Sequence, residues 1–305
     1  MTAEFGRGFS EDNLSLMRRF YIVYKDRQEI SETLSRKLLS TVKDPQTSLQ
    51  LQKSETDSRI FAQSKIGIFL KLSWSHYVFL MGIKNPDERS FYEIEAAEQG
   101  WSLRELKRQY NSGLYERLAL SRDKNGVRKL AREGQTLSRP EDLLKEPYVL
   151  EFLGLEEKEK YSESDLETAI IDKLEHFLLE LGKGFLFEAR QKRFTFDEEH
   201  FFVDLVFYNR LLRCYVLIDL KIGKLTHGDL GQMQMYVNYF DRFVKLDDEN
   251  RTVGIILCKR KNDALVEITL PEDANIHAKE YQLYLPDKEE LRQKLLDWAA
   301  EEDGK

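Results

Sequence analysis

Cysteine and histidine are scarce in this sequence. Its 305 residues include two cysteines, Cys214 and Cys258, and five histidines, His76, His176, His200, His227 and His277. Two thiols cannot build a disulfide framework. Each lies in an apolar run, where a buried, reduced thiol of a cytosolic protein is expected. The histidines are scattered and lack the close paired spacing of a zinc site. Long hydrophobic runs are missing too. No stretch approaches the roughly 20 apolar residues that a membrane helix needs. The first residues, "MTAEFGRGFSEDN", lack the apolar core of a signal peptide. These absences argue against a secreted disulfide scaffold, a zinc-finger protein or a membrane-spanning chain, and the expected location is the cytoplasm.

What is present is a globular composition, 41% hydrophobic and 33% charged, with length for two domains. The net charge is −7, which argues mildly against a nucleic-acid partner. Its distribution does not: residues 1–150 carry 25 Lys and Arg against 21 Asp and Glu, the remainder 22 against 33. A mildly basic half beside an acidic half suits a positive docking surface next to a carboxylate-rich site, although solvated helix faces give the same totals.

Residues 1–120 read as helical. Ser10 is placed to cap a helix through "NLSLMRRFYIVY", with Leu14, Met17, Tyr21 and Tyr24 on one face. A second helix is expected near "EISETLSRKLL", a polar loop over 43–58, and a buried apolar segment at "IGIFLKLSWSHYVFLMGI", with Ser73 or Ser75 as a helix start. Asn85-Pro86 opens another helix, Gly100 stops it, and Ser102 with Glu105 forms a capping box for the next. Such a series of short helices, the last bearing Arg and Lys, resembles a helix-turn-helix arrangement. Residues 121–150 hold Gly126, Gly134, Pro140 and Pro147 without a clean apolar period and are expected to be a linker. From residue 151 the order becomes α-β-β-β-α-β: a helix over "DLETAIIDKLEHFLLELG", strands at "GFLFEARQKRF", "HFFVDLVFY" and "RCYVLIDLK", a helix over "HGDLGQMQMYVNYFDRF", then "RTVGIILCK". A hairpin pair feeding a crossover helix and a further strand makes a mixed sheet, so the chain as a whole is α+β.

Three charged residues interrupt the apolar strands: Asp204, Asp219 and Lys221. A lone buried carboxylate is costly. Asp219 and Lys221, two apart, project from one face of their strand. With a hairpin turn near Leu211, Asp204 lies roughly opposite Asp219. Two neighbouring carboxylates beside an ammonium suit a hard cation such as Mg²⁺ and a polarised water, with the lysine orienting that water or stabilising charge on a phosphate.

This arrangement resembles the PD-(D/E)xK nuclease superfamily, and within it the YhcG-like branch. The resemblance is carried by "GRGFSEDNLSLMRRFY", "LSWSHY", "LKEPYVLEFLGL", "LETAIIDKLEHFLLELGKGFLFEARQ" and "GQMQMY", spread over nearly the whole chain. It implies a restriction-endonuclease-like domain behind a helical N-terminal domain, with metal ligands at Asp204 and Asp219, a catalytic lysine at Lys221, a helix glutamate at Glu167 and the Gln232–Tyr236 element. Val203 stands where the superfamily's name has proline, and Asp219 where many relatives of this branch have glutamate. Relatives carry more helical sequence ahead of "GRGFS", which implies a short form here.

The implied activity is Mg²⁺- or Mn²⁺-dependent hydrolysis of DNA phosphodiesters, in a bacterial restriction or anti-phage setting, with the helical domain holding DNA, a protein partner or a second copy. An inactive nucleic-acid-binding scaffold and an RNA-directed nuclease remain alternatives. Several residues also carry plain readings. Glu167 sits three residues after Ser164 as a capping-box partner would. Tyr236 can simply pack on the sheet. Gln191 reaches DNA or caps a sheet edge. Arg190, Lys192 and Arg193 are placed to track phosphates, as are Arg104, Lys107 and Arg108 unless they form a solvated helix face. Glu175 and Glu180 are expected at the surface, Trp74 and Trp101 in the core.

Overall fold

The computed structural model describes residues 10–25, 71–155, 160–271 and 273–303. The expected helix near "EISETLSRKLL", the loop over 43–58, most of "GRGFS" and the first part of "IGIFLKLSWSH" lie outside these residues. The chain divides into two compact units, Met1–Leu106 and Lys107–Lys305.

The first unit is helical in its described residues. Helix α1 spans 11–25. Ser10 caps it, its Oγ accepting the Asn13 N–H at 3.3 Å. The inward face differs from the expected one: Tyr24 is buried but Met17 and Tyr21 are exposed. Phe20 joins Tyr24 instead, and both rings meet Tyr77 edge-on at 5.3 and 5.5 Å. Helix α2 is Trp74–Leu80 and begins after Ser73. Asn85 caps α3, Pro86–Gln99, by accepting the Asp87 and Glu88 N–H groups, and left-handed Gly100 ends it. Trp101 is buried and Trp74 half-exposed. The Ser102 Oγ accepts the Glu105 N–H at 3.1 Å, opening α4, Leu103–Asn111.

The second unit contains α5 (Leu114–Ala119) and α6 (Lys124–Glu133). Strand β1, Tyr148–Val149, is followed by α7 (Glu163–Asp172) and α8 (Leu174–Leu181). Then come β2 (Phe185–Phe196), β3 (Glu199–Asn209), β4 (Cys214–Lys224) and α9 (His227–Phe243). The unit ends with β5 (Val253–Arg260), α10 (Asp263–Thr269), β6 (Ile276–Gln282) and α11 (Lys288–Asp303). The six-stranded sheet runs in the order β1-β6-β5-β4-β3-β2. β2, β3 and β4 are antiparallel neighbours, while β4, β5, β6 and β1 are parallel. This is the mixed sheet expected. Asp197 and Glu198, both left-handed at φ 49° and 66°, make the two-residue turn between β2 and β3. The Asn209 side chain accepts the N–H groups of Leu211 and Leu212 at 3.0 and 3.1 Å and so turns the chain from β3 into β4.

Both faces of the sheet are apolar. Leu205, Phe207, Ile218, Leu220 and Leu257 meet Leu166, Ile170 and Phe177 of α7 and α8. Val206, Leu217, Ile256 and Cys258 meet Leu230, Met233, Tyr236 and Phe240 of α9. A strand covered on both sides reads as a continuous apolar run, as β4 does, and a charge within it stands out. At Gly254 of β5 a Cβ would lie 2.7 Å from the Met233 side chain and 3.0 Å from that of Val237, so α9 sits directly on β5 there. Both cysteines are free and buried. Burial, aided by nearby carboxylates, pushes the Cys214 thiol up to about 12 and Cys258 to about 11.

Two further expectations need correction. Residues 121–150 are folded into the second unit: they contain α6 and a 3₁₀ turn at Pro140–Leu143, and β1 pairs with β6. Gly134 ends α6, Pro140 opens the 3₁₀ turn and Pro147 precedes β1, so three of the four expected linker signals are element boundaries, while Gly126 lies in the first turn of α6. Glu180 is wholly buried rather than at the surface. Its carboxylate faces Arg117 at 2.5 Å and Arg108 at 3.7 Å and accepts the Val149 N–H at 3.0 Å, while its carbonyl accepts from Lys145. Burial works against that charge, but Arg117, Lys145 and Arg108 outweigh it and hold the carboxyl below its ordinary pKa. Arg108, considered for phosphate contact, is engaged here and with Glu151 at 2.8 Å.

Candidate active site

β3 and β4 pair through Leu205–Ile218, and the next step in that register sets Asp204 beside Asp219. One Asp204 oxygen accepts the backbone N–H of Leu220 at 2.8 Å. The other accepts the Gln191 amide at 3.0 Å. Asp219 is only 2% exposed. Burial, with the nearby Asp204 charge, pushes its carboxyl up to about 7, even though Lys221 opposes the shift. The Lys221 Nζ lies 2.9 Å from Asp219 Oδ2 and 4.0 Å from Glu163 of α7. Burial works against the ammonium, but Asp219, Glu163 and Asp204 prevail and raise its pKa, so it stays charged.

The start of α7 changes the reading of Glu167. Ser162, not Ser164, is the N-cap, and its reciprocal partner is Asp165. Glu167 is therefore one turn inside the helix and nearly buried. It pairs with Arg190 and accepts the Gln191 amide. Arg190 also donates to Thr168 at 3.0 Å. Gln191 links Glu167 to Asp204 from a left-handed backbone, φ 46°, which is uncommon for a residue with a side chain. The pairs Arg190–Leu205 and Lys192–Val203 flank it and set it across from Asp204.

Gln232 donates to the Tyr236 hydroxyl on α9. Tyr236 is buried, its ring edge-on to Phe194 at 5.6 Å. Burial raises its pKa against the Gln232 contact, with Asp219 and Asp204 adding to the rise, so the phenol sits within the field of the carboxylate pair. Arg193 stands apart, exposed beside Phe194 and Tyr239. The structure thus links Asp204, Asp219, Lys221, Glu167, Arg190 and Gln191 to one another, with the Gln232–Tyr236 pair on α9 within their electrostatic reach. Glu163 was not singled out from the sequence. Only the packing of α7 against β4 brings it near Lys221, and nothing in its local sequence signals that.

Among the described residues no group of three or more His, Cys, Asp and Glu side chains is arranged to hold a metal. The site offers a pair. Asp219 Oδ2 is shielded from solvent and has the Lys221 ammonium as its charged partner. Two carboxylates fit a cation such as Mg²⁺, which keeps several waters and fills its shell with phosphate oxygens.

The sequence of residues 141–296 matches the profile of the "YhcG PDDEXK nuclease domain", and residues 1–117 that of the "DUF1016 N-terminal domain". The chain belongs to the YhcG family. An Escherichia coli (strain K12) protein described as "Putative nuclease YhcG" is 41% identical over 295 residues, 96% of this chain and 76% of that protein. Among solved structures, a repair endonuclease from Pyrococcus abyssi aligns over 42% of this chain and 50% of its own, with 19% identity and a TM-score of 0.27. An EndoMS–double-stranded DNA complex aligns over 43% and 48%, with 16% identity and a TM-score of 0.30. The alignments span about half of those chains and are too loose to carry an argument. The nuclease-domain assignment rests on the family match and agrees with the α-β-β-β-α-β order of the second unit.

Proposed function

We propose that this YhcG-family chain is a metal-dependent nuclease that hydrolyses DNA phosphodiester bonds. The observation that carries this reading is the buried Asp219 carboxyl, pushed up to about 7, facing both Asp204 and the Lys221 ammonium at 2.9 Å. Carboxylates so crowded favour a cation between them, and perturbed groups of this kind cluster at functional sites. Asp204 and Asp219 would hold Mg²⁺ or Mn²⁺. A cation there supplies Lewis-acid polarisation of the phosphate and a water of lowered pKa.

The chain's own residues have separate tasks. The Leu220 N–H and the Gln191 amide fix the direction of Asp204. Lys221, kept protonated by its acidic neighbours, places a positive charge where negative charge develops on the phosphate. Glu167 holds Gln191 and Arg190 in place. Gln232 orients the Tyr236 hydroxyl towards the same region. Arg190, Gln191 and Arg193 on the edge strand are the groups assigned to the substrate. The helical unit is assigned to DNA, a protein partner or a second copy. A bacterial restriction or anti-phage role in the cytoplasm fits a chain of this family.

The test is incubation of the full chain with supercoiled, linear and single-stranded DNA and with RNA, each in Mg²⁺, Mn²⁺ or EDTA. DNA is cut in Mg²⁺ or Mn²⁺ and not in EDTA, and both Asp219→Asn and Lys221→Ala abolish the cut. Cleavage that survives in both variants places the chemistry elsewhere, and cleavage of RNA alone transfers the reading to an RNA nuclease.

A further inference from the structure

We infer that the aromatic groove between the end of β2 and the outer face of α9 binds an unstacked nucleobase of a single strand. The inference rests on the nuclease reading above and names a subsite for its substrate. The groove has a volume of about 360 Å³, and its walls include Phe196, Tyr239, Phe243, Gln234, Asn238 and Arg242. Phe196 and Phe243 are 59% and 64% exposed and border the same groove, so their apolar surface is contiguous rather than scattered. Two of the rings are already stacked, Phe194 on Tyr239 at 4.1 Å with 21° between planes, and Phe243 leans on Tyr239 at 5.2 Å with a tilt of 50°. A flat aromatic solute extends such a stack, and every base has a π-face to offer.

Three further observations favour a base over another flat apolar occupant. First, the groove carries amides. Gln234 donates to Asn238 at 3.2 Å, while its own Oε1 is shielded from solvent and accepts no hydrogen bond. A buried acceptor without a donor is costly, and the exocyclic amino group of a base supplies one after a modest side-chain rotation. Second, exposed cations flank the rings: Arg242 on the groove wall, and Arg193 in the adjoining cleft that shares Phe194 and Tyr239. The turn after Phe196 is acidic (Asp197, Glu198 and Glu199) and repels phosphate, so the bound backbone runs on the arginine side. Third, Phe194 touches both Tyr239 and Tyr236, so one buried ring joins the groove to the Gln232–Tyr236 pair of the candidate site.

The test uses the full chain in EDTA and short single-stranded DNA and RNA oligonucleotides carrying 2-aminopurine, whose emission is quenched by stacking. Binding quenches the probe. Phe243→Ala weakens binding about tenfold, the order expected for one lost stacked base, and removes the quenching. Gln234→Ala, at a position that leaves the rings in place, weakens binding while keeping the quenching. A response in only the DNA or only the RNA arm identifies the strand and supports the inference. If both variants bind and quench like the parent while the parent cuts in Mg²⁺, the groove holds no base and the nuclease reading stands. If the parent neither binds nor cuts any oligonucleotide or plasmid, the nuclease reading falls and takes the groove with it. A shift from dimer to monomer in Phe243→Ala by sedimentation, with binding unchanged, makes the groove an interface between copies and overturns the inference.

Discussion

Asp204 accepts the backbone N–H of Leu220, the residue between Asp219 and Lys221, at 2.8 Å. One carboxylate of the pair is therefore tied to the very strand that carries the other and the lysine. The relative placement of the three backbone positions is therefore fixed by β-sheet geometry.

The crowding of that pair has a measurable effect on stability. The folded-state pKa of Asp219, about 7, lies above the ordinary carboxyl value of about 3.9. Folding therefore favours the protonated group. That contribution is fully present below pH about 4 and is lost as pH rises through about 7. Asp219→Asn cannot ionise and keeps it. The variant is expected to be more stable than the parent by a few kcal/mol at pH 8, with the gap closing at pH 4. Thermal melts of both proteins in EDTA across that range check this. A parent as stable as the variant at pH 8 contradicts the raised pKa.

Metal affinity follows from the same group. A cation binds the ionised carboxylates and competes with the proton on Asp219. Apparent Mg²⁺ affinity is expected to rise with pH until about 7 and then level off. Calorimetry in buffers of different ionisation enthalpy detects the released proton. An affinity that is flat between pH 5.5 and 8 removes Asp219 from the ligand set.

Glu180 is a structural counterpart to these site carboxylates. It and Arg117 are both wholly buried, so Glu180→Ala leaves a buried guanidinium without its partner. The expected loss is about 3–5 kcal/mol. Glu175→Ala on the exposed side of the same helix is expected to change stability by no more than about 0.5 kcal/mol. Urea unfolding of the two variants separates them, and similar midpoints defeat the assignment.

The same cluster decides where the chain can be cut. A fragment of residues 107–305 keeps Arg108, Arg117, Lys145 and β1, whereas one of residues 151–305 loses all four and leaves Glu180 bare in the core. The first is expected to unfold cooperatively in urea and the second to lack a cooperative transition. A cooperative 151–305 fragment means that the sheet does not need the preceding helices.

The sequence revealed the sheet and the carboxylate pair because strand alternation and a short turn relate residues that are close in the chain. Asp204, Asp219 and Lys221 interrupt runs that are otherwise apolar, and no local feature competes with that signal. Glu167 and Glu180 were less legible. Two serines, Ser162 just ahead of α7 and Ser164 in its first turn, each read as a cap in the sequence. The burial of Glu180 depends on Arg117 and Arg108, more than sixty residues earlier. The two-residue β1 is visible only through its pairing with β6, and local patterns report neither kind of contact.

Gly254 stands far from the acidic pair in sequence, yet it sets how deep α9 lies on the sheet. A Cβ there would come within 2.7 Å of Met233, the neighbour of Gln232 and one turn from Tyr236. Any larger residue lifts the helix like a shim and carries the tyrosine hydroxyl away from the carboxylates. An absent side chain on one strand thereby gauges the depth at which the whole helix rests.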